Sequence, residues 1–243
     1  MITGGSRGIG AATARLAAKS GYDVCIAYLS DGAAAEQVAQ DCRQAGVKAI
    51  AVRADVASAA DVEALFAECD RALGPVSLLV NNAATIGRAS TVADLADDVL
   101  RRTFEVNVYG AFYCARAAIR RMSRKAGGAG GAIVNVSSTA ATLGSPGEYV
   151  HYAASKGAVD TFTIGLAKEV GPDGIRVNAV QPGTTDTGIH ARAGVPERPA
   201  MVARTAPLGR VGRPEDIAEA ILWLASDKAA YTTGAILRVG GGL

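Results

Sequence analysis

Seven short aliphatic segments, separated by stretches of helical period, constrain this 243-residue chain more than any other feature. A first segment ends at Thr3, and six more follow at 24–29 (VCIAYL), 47–54, 76–80 (VSLLV), 132–136 (AIVNV), 175–180 (IRVNAV) and 236–239. Several lack the in/out alternation of a half-exposed strand, which is the pattern of a parallel sheet covered by helices on both faces. The repeated strand-helix-strand rhythm predicts an α/β, doubly wound parallel sheet of about seven strands. Helical periodicity falls at 11–20, 33–45, 59–73, 97–125 and 152–170. The stretch from Arg213 to Asp227 reads as a last helix, with Pro214 in its first turn and Ile217, Ile221 and Leu224 along its buried stripe. Only Met1 and Ile2 precede Thr3, so either the sequence starts late or the first strand is unusually short.

No linker, repeat or shift in composition divides the chain, and residues 1–243 are expected to form a single domain. The 25 basic and 23 acidic residues are scattered and leave a formal charge of +2, without the basic stripe that nucleic acid requires. The densest cationic run, Arg120, Arg121, Arg124 and Lys125, ends a predicted helix, where it complements the helix dipole. Cys25, Cys42, Cys69 and Cys114 have neither disulfide-framework nor metal-ligand spacing. They read as buried free thiols of a cytoplasmic protein, with no metal site. No apolar run is long enough to span a membrane.

The first turn, TGGSRGIG from Thr3 to Gly10, joins a buried strand to a helix. Such a turn leaves backbone N–H groups at a helix N-terminus, where the dipole favours a phosphate. Gly4 permits the sharp turn, Gly8 the approach of a pyrophosphate, and Gly10 tight packing of the helix on the sheet. Taken alone, such a loop is also an ordinary structural turn. Tyr152 and Lys156 lie four apart in a helical segment, so both project from one face about 6 Å apart. A cation beside a phenol favours phenolate, so the pair, with a further positive charge bound alongside, is expected to lower the tyrosine pKa towards the working range. Ser138 ends a strand at the edge where doubly wound sheets hold ligands, and its hydroxyl can polarise a carbonyl oxygen. Singly, these residues are equally a surface helix contact and a turn serine. His151, about 100° around the helix from Tyr152, is expected to face a loop or the substrate entrance.

Together, TGGSRGIG, NNAA (81–84), NVYG (107–110), IVNVSS (133–138), YAASK (152–156) and PGTTDT (182–187) resemble the short-chain dehydrogenase/reductase family. The resemblance runs along the whole chain and implies a Rossmann-type fold and an NAD(P)-dependent oxidoreductase that interconverts a carbonyl and a secondary alcohol. The general look is similar to the 3-oxoacyl-carrier-protein reductase and glucose dehydrogenase branch. Carried over residue by residue, the resemblance makes Tyr152 the general acid/base, Lys156 the partner of the nicotinamide ribose, Ser138 the substrate-orienting hydroxyl and Asn107 the support of a proton-relay water. It assigns the dinucleotide to Gly4, Ser6, Arg7, Gly8, Ile9, Gly10, Tyr28, Asp55, Val56, Asn81, Ala83, Pro182, Gly183, Thr185 and Thr187, together with Tyr152 and Lys156. It also implies a homotetramer built on the two long helices and the C-terminal segment, and a substrate-covering segment at 184–205 that contains His190.

Two departures stand out. Ser138 and Tyr152 are fourteen positions apart, one more than the family pattern, which places a small insertion near 145–151, and NNAA replaces the commoner NNAG. Preference for NAD usually rests on a carboxylate at the end of the second strand. Tyr28 falls there, and Asp31 comes three residues later. Arg7 offers a guanidinium to a 2'-phosphate, so NADP is the expected cofactor, and Asp31 keeps open an NAD-dependent alcohol, polyol or sugar dehydrogenase. A dinucleotide-sensing protein without turnover is the remaining alternative.

Overall fold

The computed structural model describes the backbone of all 243 residues and every side chain except those of His190 and Arg192. Strands and helices alternate: β1 (Ile2–Thr3), α1 (Gly8–Lys19), β2 (Val24–Tyr28), α2 (Gly32–Gln44), β3 (Ala49–Arg53), α3 (Ala59–Leu73) and β4 (Leu78–Asn81). After them come α4 (Asp97–Phe104), α5 (Gly110–Met122), β5 (Gly131–Val136), α6 (Ala140–Leu143), α7 (Val150–Val170), β6 (Ile175–Pro182), α8 (Ile189–Arg192), α9 (Arg198–Ala203), α10 (Pro214–Ala225) and β7 (Ile236–Val239). The seven strands are parallel, in the order β3-β2-β1-β4-β5-β6-β7. The strand order reverses between β1 and β4, and ligands of such sheets bind at that switch point.

Neighbouring residues of a strand bury against opposite helical layers. Leu79 and Ile133 join Phe66, Cys114 and Leu166 on the α3/α5/α7 side. Val80 and Val134 join Ile26, Val38 and Ile221 on the α1/α2/α10 side. Both faces are therefore apolar, which is why the strands read as uninterrupted aliphatic runs. The first strand is short in the structure: two residues pair with β2 and one with β4.

Helix starts follow local chemistry. The Ser58 hydroxyl accepts from the Asp61 N–H at 3.2 Å to cap α3, and the Asp31 carboxylate accepts from the Ala34 N–H at 3.0 Å to cap α2. The Asp216 carboxylate accepts from the Arg213 N–H at 2.7 Å at the start of α10, and Arg210 beside it holds that carboxyl far below the usual range. The α1 start differs, because no side chain caps it. The stretch 97–125 is not one regular helix: a turn of wider π-type winding at Glu105–Tyr109 separates α4 from α5. The cationic run at the end of α5 and just beyond it mainly joins elements. Arg121 pairs with Asp70 at 2.6 Å, Arg120 with Glu63 at 3.2 Å and Lys125 with Asp173 at 2.6 Å, and only Arg121 also donates to a helix carbonyl, that of Ala117. The four cysteines are free and buried. Among the described residues no helix is long and apolar enough to cross a membrane.

Candidate active site

Two connected hollows lie over the carboxyl ends of the strands. The first, a cleft of about 400 Å³, runs along the glycine turn and is lined by Gly4, Ser6, Arg7, Gly8, Ile9, Tyr28, Asp55, Val56, Ala83 and Thr187. Gly4 and Gly8 have φ of +63° and +53°, in the left-handed region that L side chains rarely adopt. A Cβ on Gly10 would lie 2.5 Å from the Gly4 carbonyl oxygen and 2.6 Å from Asn82 Nδ2. Gly10 thus packs α1 against its own turn, where sequence reading had it packing on the sheet. Asn82, missed at that stage although it stands inside NNAA, donates from Nδ2 to the carbonyls of Thr3 (2.9 Å) and Gly4 (3.1 Å). The Thr3 hydroxyl accepts from the N–H groups of Asn82 and Ala83, both at 3.0 Å. These bonds fix the turn, and the uncapped α1 start lines the cleft at Gly8 and Ile9, where a helix N-terminus is suited to a pyrophosphate.

The Tyr28 end of the cleft differs from expectation in one respect. Asp31, though three residues beyond the strand end, reaches back to Arg7 in an ion pair of 3.2 Å. A carboxylate and a guanidinium therefore stand together, both about half exposed. The Asp55 carboxylate accepts from Arg102 Nη2 at 2.9 and 3.1 Å, which ties the loop after β3 to α4. The Asn81 side chain turns inward, donating to Asn135 Oδ1 at 2.9 Å, and borders only a narrow void of about 10 Å³ together with Asn107 and Lys156.

The second hollow, a cavity of about 310 Å³, brings together Ser138 after β5, Tyr152 and Lys156 from α7, and Pro182, Gly183, Thr185 and Thr187 after β6. A Cβ on Gly183 would stand 2.8 Å from Gly240 Cα, so the β6 end and the C-terminal turn meet closely there. Thr187 faces Gly8 across the junction of the hollows, its Cγ2 3.1 Å from where a Gly8 Cβ would lie. Lys156 is buried; its ammonium donates to the Val136 carbonyl at 2.6 Å and lies 5.7 Å from the Tyr152 ring centroid. Desolvation lowers its pKa to about 8, against which Asp160, one turn further along α7, raises it. Asp160 accepts from Gln181 Nε2 at 2.7 Å.

Burial governs the electrostatics of Tyr152. Tyr152 keeps some exposure to the cavity, but the fold surrounds it elsewhere, and that burial pushes the phenol up to about 12, with the Ser138 hydroxyl acting in the opposite sense. At neutral pH the phenol is protonated.

Asn107 sits in the π-type turn, a geometry recurrent at functional sites. Its Oδ1 accepts from the Thr85 N–H at 2.8 Å, and its Nδ2 donates to the Thr85 carbonyl at 2.9 Å and the Ser155 hydroxyl at 3.0 Å. It thereby joins the loop after β4 to α7 one residue before Lys156. His151 Nε2 lies 3.0 Å from the Ile86 carbonyl, so the histidine faces a loop, as its helical position predicts. Between Ser138 and Tyr152 the chain makes a tight turn at Ser145 (φ 45°) and Gly147 (φ 73°). The segment 184–205 carries the short helices α8 and α9, and the side chain of His190 lies outside the described residues.

A strand-turn-helix glycine turn thus lies at the sheet's switch point, with Ser138, Tyr152 and Lys156 brought together beside it. A family model described as enoyl-(acyl carrier protein) reductase matches residues 4–243. The chain belongs to the short-chain dehydrogenase/reductase family. The dehydrogenase is 49% identical over 242 residues to an uncharacterized oxidoreductase, YgfF, of Escherichia coli K12, covering 100% of this chain and 98% of that protein. It is 42% identical to an L-rhamnose 1-dehydrogenase (NAD(P)(+)) of a Sphingomonas species, over 100% of this chain and 94% of the relative. A short-chain dehydrogenase from Burkholderia cenocepacia, solved with NADP, superposes with a TM-score of 0.90 at 34% identity over 99% of this chain and 95% of the other. The protein is an NAD(P)-dependent oxidoreductase of this family.

Proposed function

We propose that the enzyme interconverts a carbonyl and a secondary alcohol with NADP, Tyr152 serving as general acid in reduction and general base in oxidation. The observation that carries this reading is the meeting of Ser138, Tyr152 and Lys156 in one cavity that opens onto the glycine turn. When bound, the dinucleotide supplies or accepts the hydride. Its pyrophosphate would rest on the α1 start and its adenosine near Tyr28, Asp55 and Val56. Gly183, Thr185 and Thr187 would hold its carboxamide side, and Lys156 its nicotinamide ribose. Ser138 orients and polarises the carbonyl oxygen. Tyr152, protonated through burial, delivers the proton to that oxygen. Asn107, holding Thr85 and Ser155 together, orders the proton path behind the lysine.

Arg7 supports NADP over NAD, since a guanidinium can pair with a 2'-phosphate. Asp31 supports the second reading, an NAD-dependent alcohol, polyol or sugar dehydrogenase, because its carboxylate would repel that phosphate and accept from ribose hydroxyls instead. The name of the Sphingomonas relative, which carries NAD(P)(+), is compatible with either. Initial rates with NADPH and NADH over a panel of ketones, aldehydes and aldoses test the proposal. We expect a preference for NADPH of about tenfold, reversed in Arg7→Ala and increased in Asp31→Asn. Equal rates in all three proteins would remove Arg7 from cofactor selection, and no turnover of any carbonyl or alcohol would favour a dinucleotide sensor.

A tetramer is part of the same reading. Phe112 and Ile164 leave an exposed apolar surface on α5 and α7, and Trp223 does so on α10. The four buried free thiols support a reducing, cytoplasmic location.

A further inference from the structure

The end of the cavity away from the glycine turn carries chemistry that carbonyl reduction does not use. Arg198, the first residue of α9, lines the same cavity as Ser138 and Tyr152, and so does Tyr149. The Arg198 guanidinium carbon stands 5.5 Å from the Tyr149 ring centroid, and its Nη1 donates to Glu148 Oε2 at 2.5 Å. A guanidinium has five N–H donors, and Glu148 engages one nitrogen. Tyr149 is 2% exposed, and its hydroxyl is buried without a hydrogen-bond partner. Burial raises its pKa, so the phenol is neutral and its O–H is available to donate. An unmade bond on a buried hydroxyl is costly unless a ligand completes it.

Charge narrows the choice of ligand. Among the described residues the cavity wall carries two cationic side chains, Arg198 and Lys156, and no acidic side chain, its one other charged group being the main-chain carboxylate of Leu243. The Lys156 ammonium is turned to the Val136 carbonyl. Glu148 is nearly half exposed on its side chain, so water screens its hold on Arg198. The loop before Tyr152 places this group, because the Glu148 carbonyl accepts from the Ser90 N–H at 2.8 Å and the Tyr149 N–H donates to the Ser145 carbonyl at 3.0 Å.

We propose that the substrate is anionic, an oxo acid in reduction and a hydroxy acid in oxidation, its carboxylate held by Arg198 and the Tyr149 hydroxyl while its carbonyl meets Ser138 and Tyr152. This rests on the carbonyl reductase reading above. In reduction the carbonyl carbon gains a hydride, with its electron pair, from the reduced dinucleotide. The C=O π pair moves to oxygen, which takes the Tyr152 proton, and the carboxylate is unchanged.

The test compares 2-oxobutanoate, 3-oxobutanoate, 4-oxopentanoate and 5-oxohexanoate, each with its methyl ester, in NADPH-dependent initial rates. For the chain length that spans the cavity, the acid should exceed its ester in kcat/KM by about tenfold or more. Arg198→Met should bring that ratio close to one. Glu148→Gln, which frees the guanidinium of its competitor, should raise it about twofold, whereas loss of a merely structural clasp would move acid and ester together. A ratio at or below one for all four pairs, a ratio that Arg198→Met leaves unchanged, or faster turnover of aldoses than of every acid would overturn the anionic assignment alone. Failure to reduce acids, esters and aldoses alike would overturn the reductase reading and this one with it.

Discussion

Lys156 and Tyr152 are pulled by burial in the direction of their neutral forms, and this has consequences for pH. Lys156 titrates near 8 in the fold and near its ordinary 10.5 when unfolded, so between these values the unfolded chain binds more protons. Stability of the cofactor-free protein should therefore rise with pH through that window, the penalty being complete below about pH 8. Lys156→Met should remove this rise and stabilise the free protein near pH 7 by ~1–3 kcal/mol, read from denaturant unfolding at several pH values. A variant whose stability follows the parent at every pH would contradict the buried ammonium. Asp160 acts on the same group from one turn away. If Lys156 works as a cation, Asp160→Asn should move the alkaline loss of kcat/KM to lower pH, and an unshifted profile would remove Asp160 from that role. These signs were not legible in the sequence. The i,i+4 spacing gave the pairing of Tyr152 with Lys156, but a phenol's pKa depends on how many atoms exclude water from it, which only the packed fold determines. Counting residues from the strand end leaves Asp31 open for a related reason, since the chain turns back there to cap α2 and brings the carboxylate to Arg7.

At the scale of elements, the glycine turn and α1 are the most exacting part of the fold. A side chain at Gly10 would press on the Gly4 carbonyl and on Asn82, so Gly10→Ala should cost ~1–3 kcal/mol in unfolding free energy and weaken dinucleotide binding. Unfolding at the parent's midpoint with unchanged binding would contradict the packing described. The strands and long helices were readable because both sheet faces are buried and each helix keeps its own period, as Leu79 and Val80 illustrate by facing opposite layers. The short helices α6, α8 and α9 were not, since four to six residues carry too little periodicity to register. The π-type turn around Asn107 was equally hidden, its residues reading as one helix with α4 and α5.

The whole molecule places two connected hollows side by side over the carboxyl ends of the strands, and leaves apolar surface on the outer helices. Phe112 is 47% exposed and its ring centroid lies 3.9 Å from that of Phe162. If that surface joins subunits, Phe112→Arg should lower the mass seen by sedimentation or light scattering, whereas a parent protein that is already monomeric would contradict the tetramer. The account as a whole turns on whether the Tyr152 phenol carries the proton. The most direct measurement pairs dinucleotide affinity with NADPH-dependent turnover in Tyr152→Phe. The account predicts affinity within about threefold of the parent and turnover lower by a thousandfold or more. Turnover within tenfold of the parent, with binding intact, would contradict it.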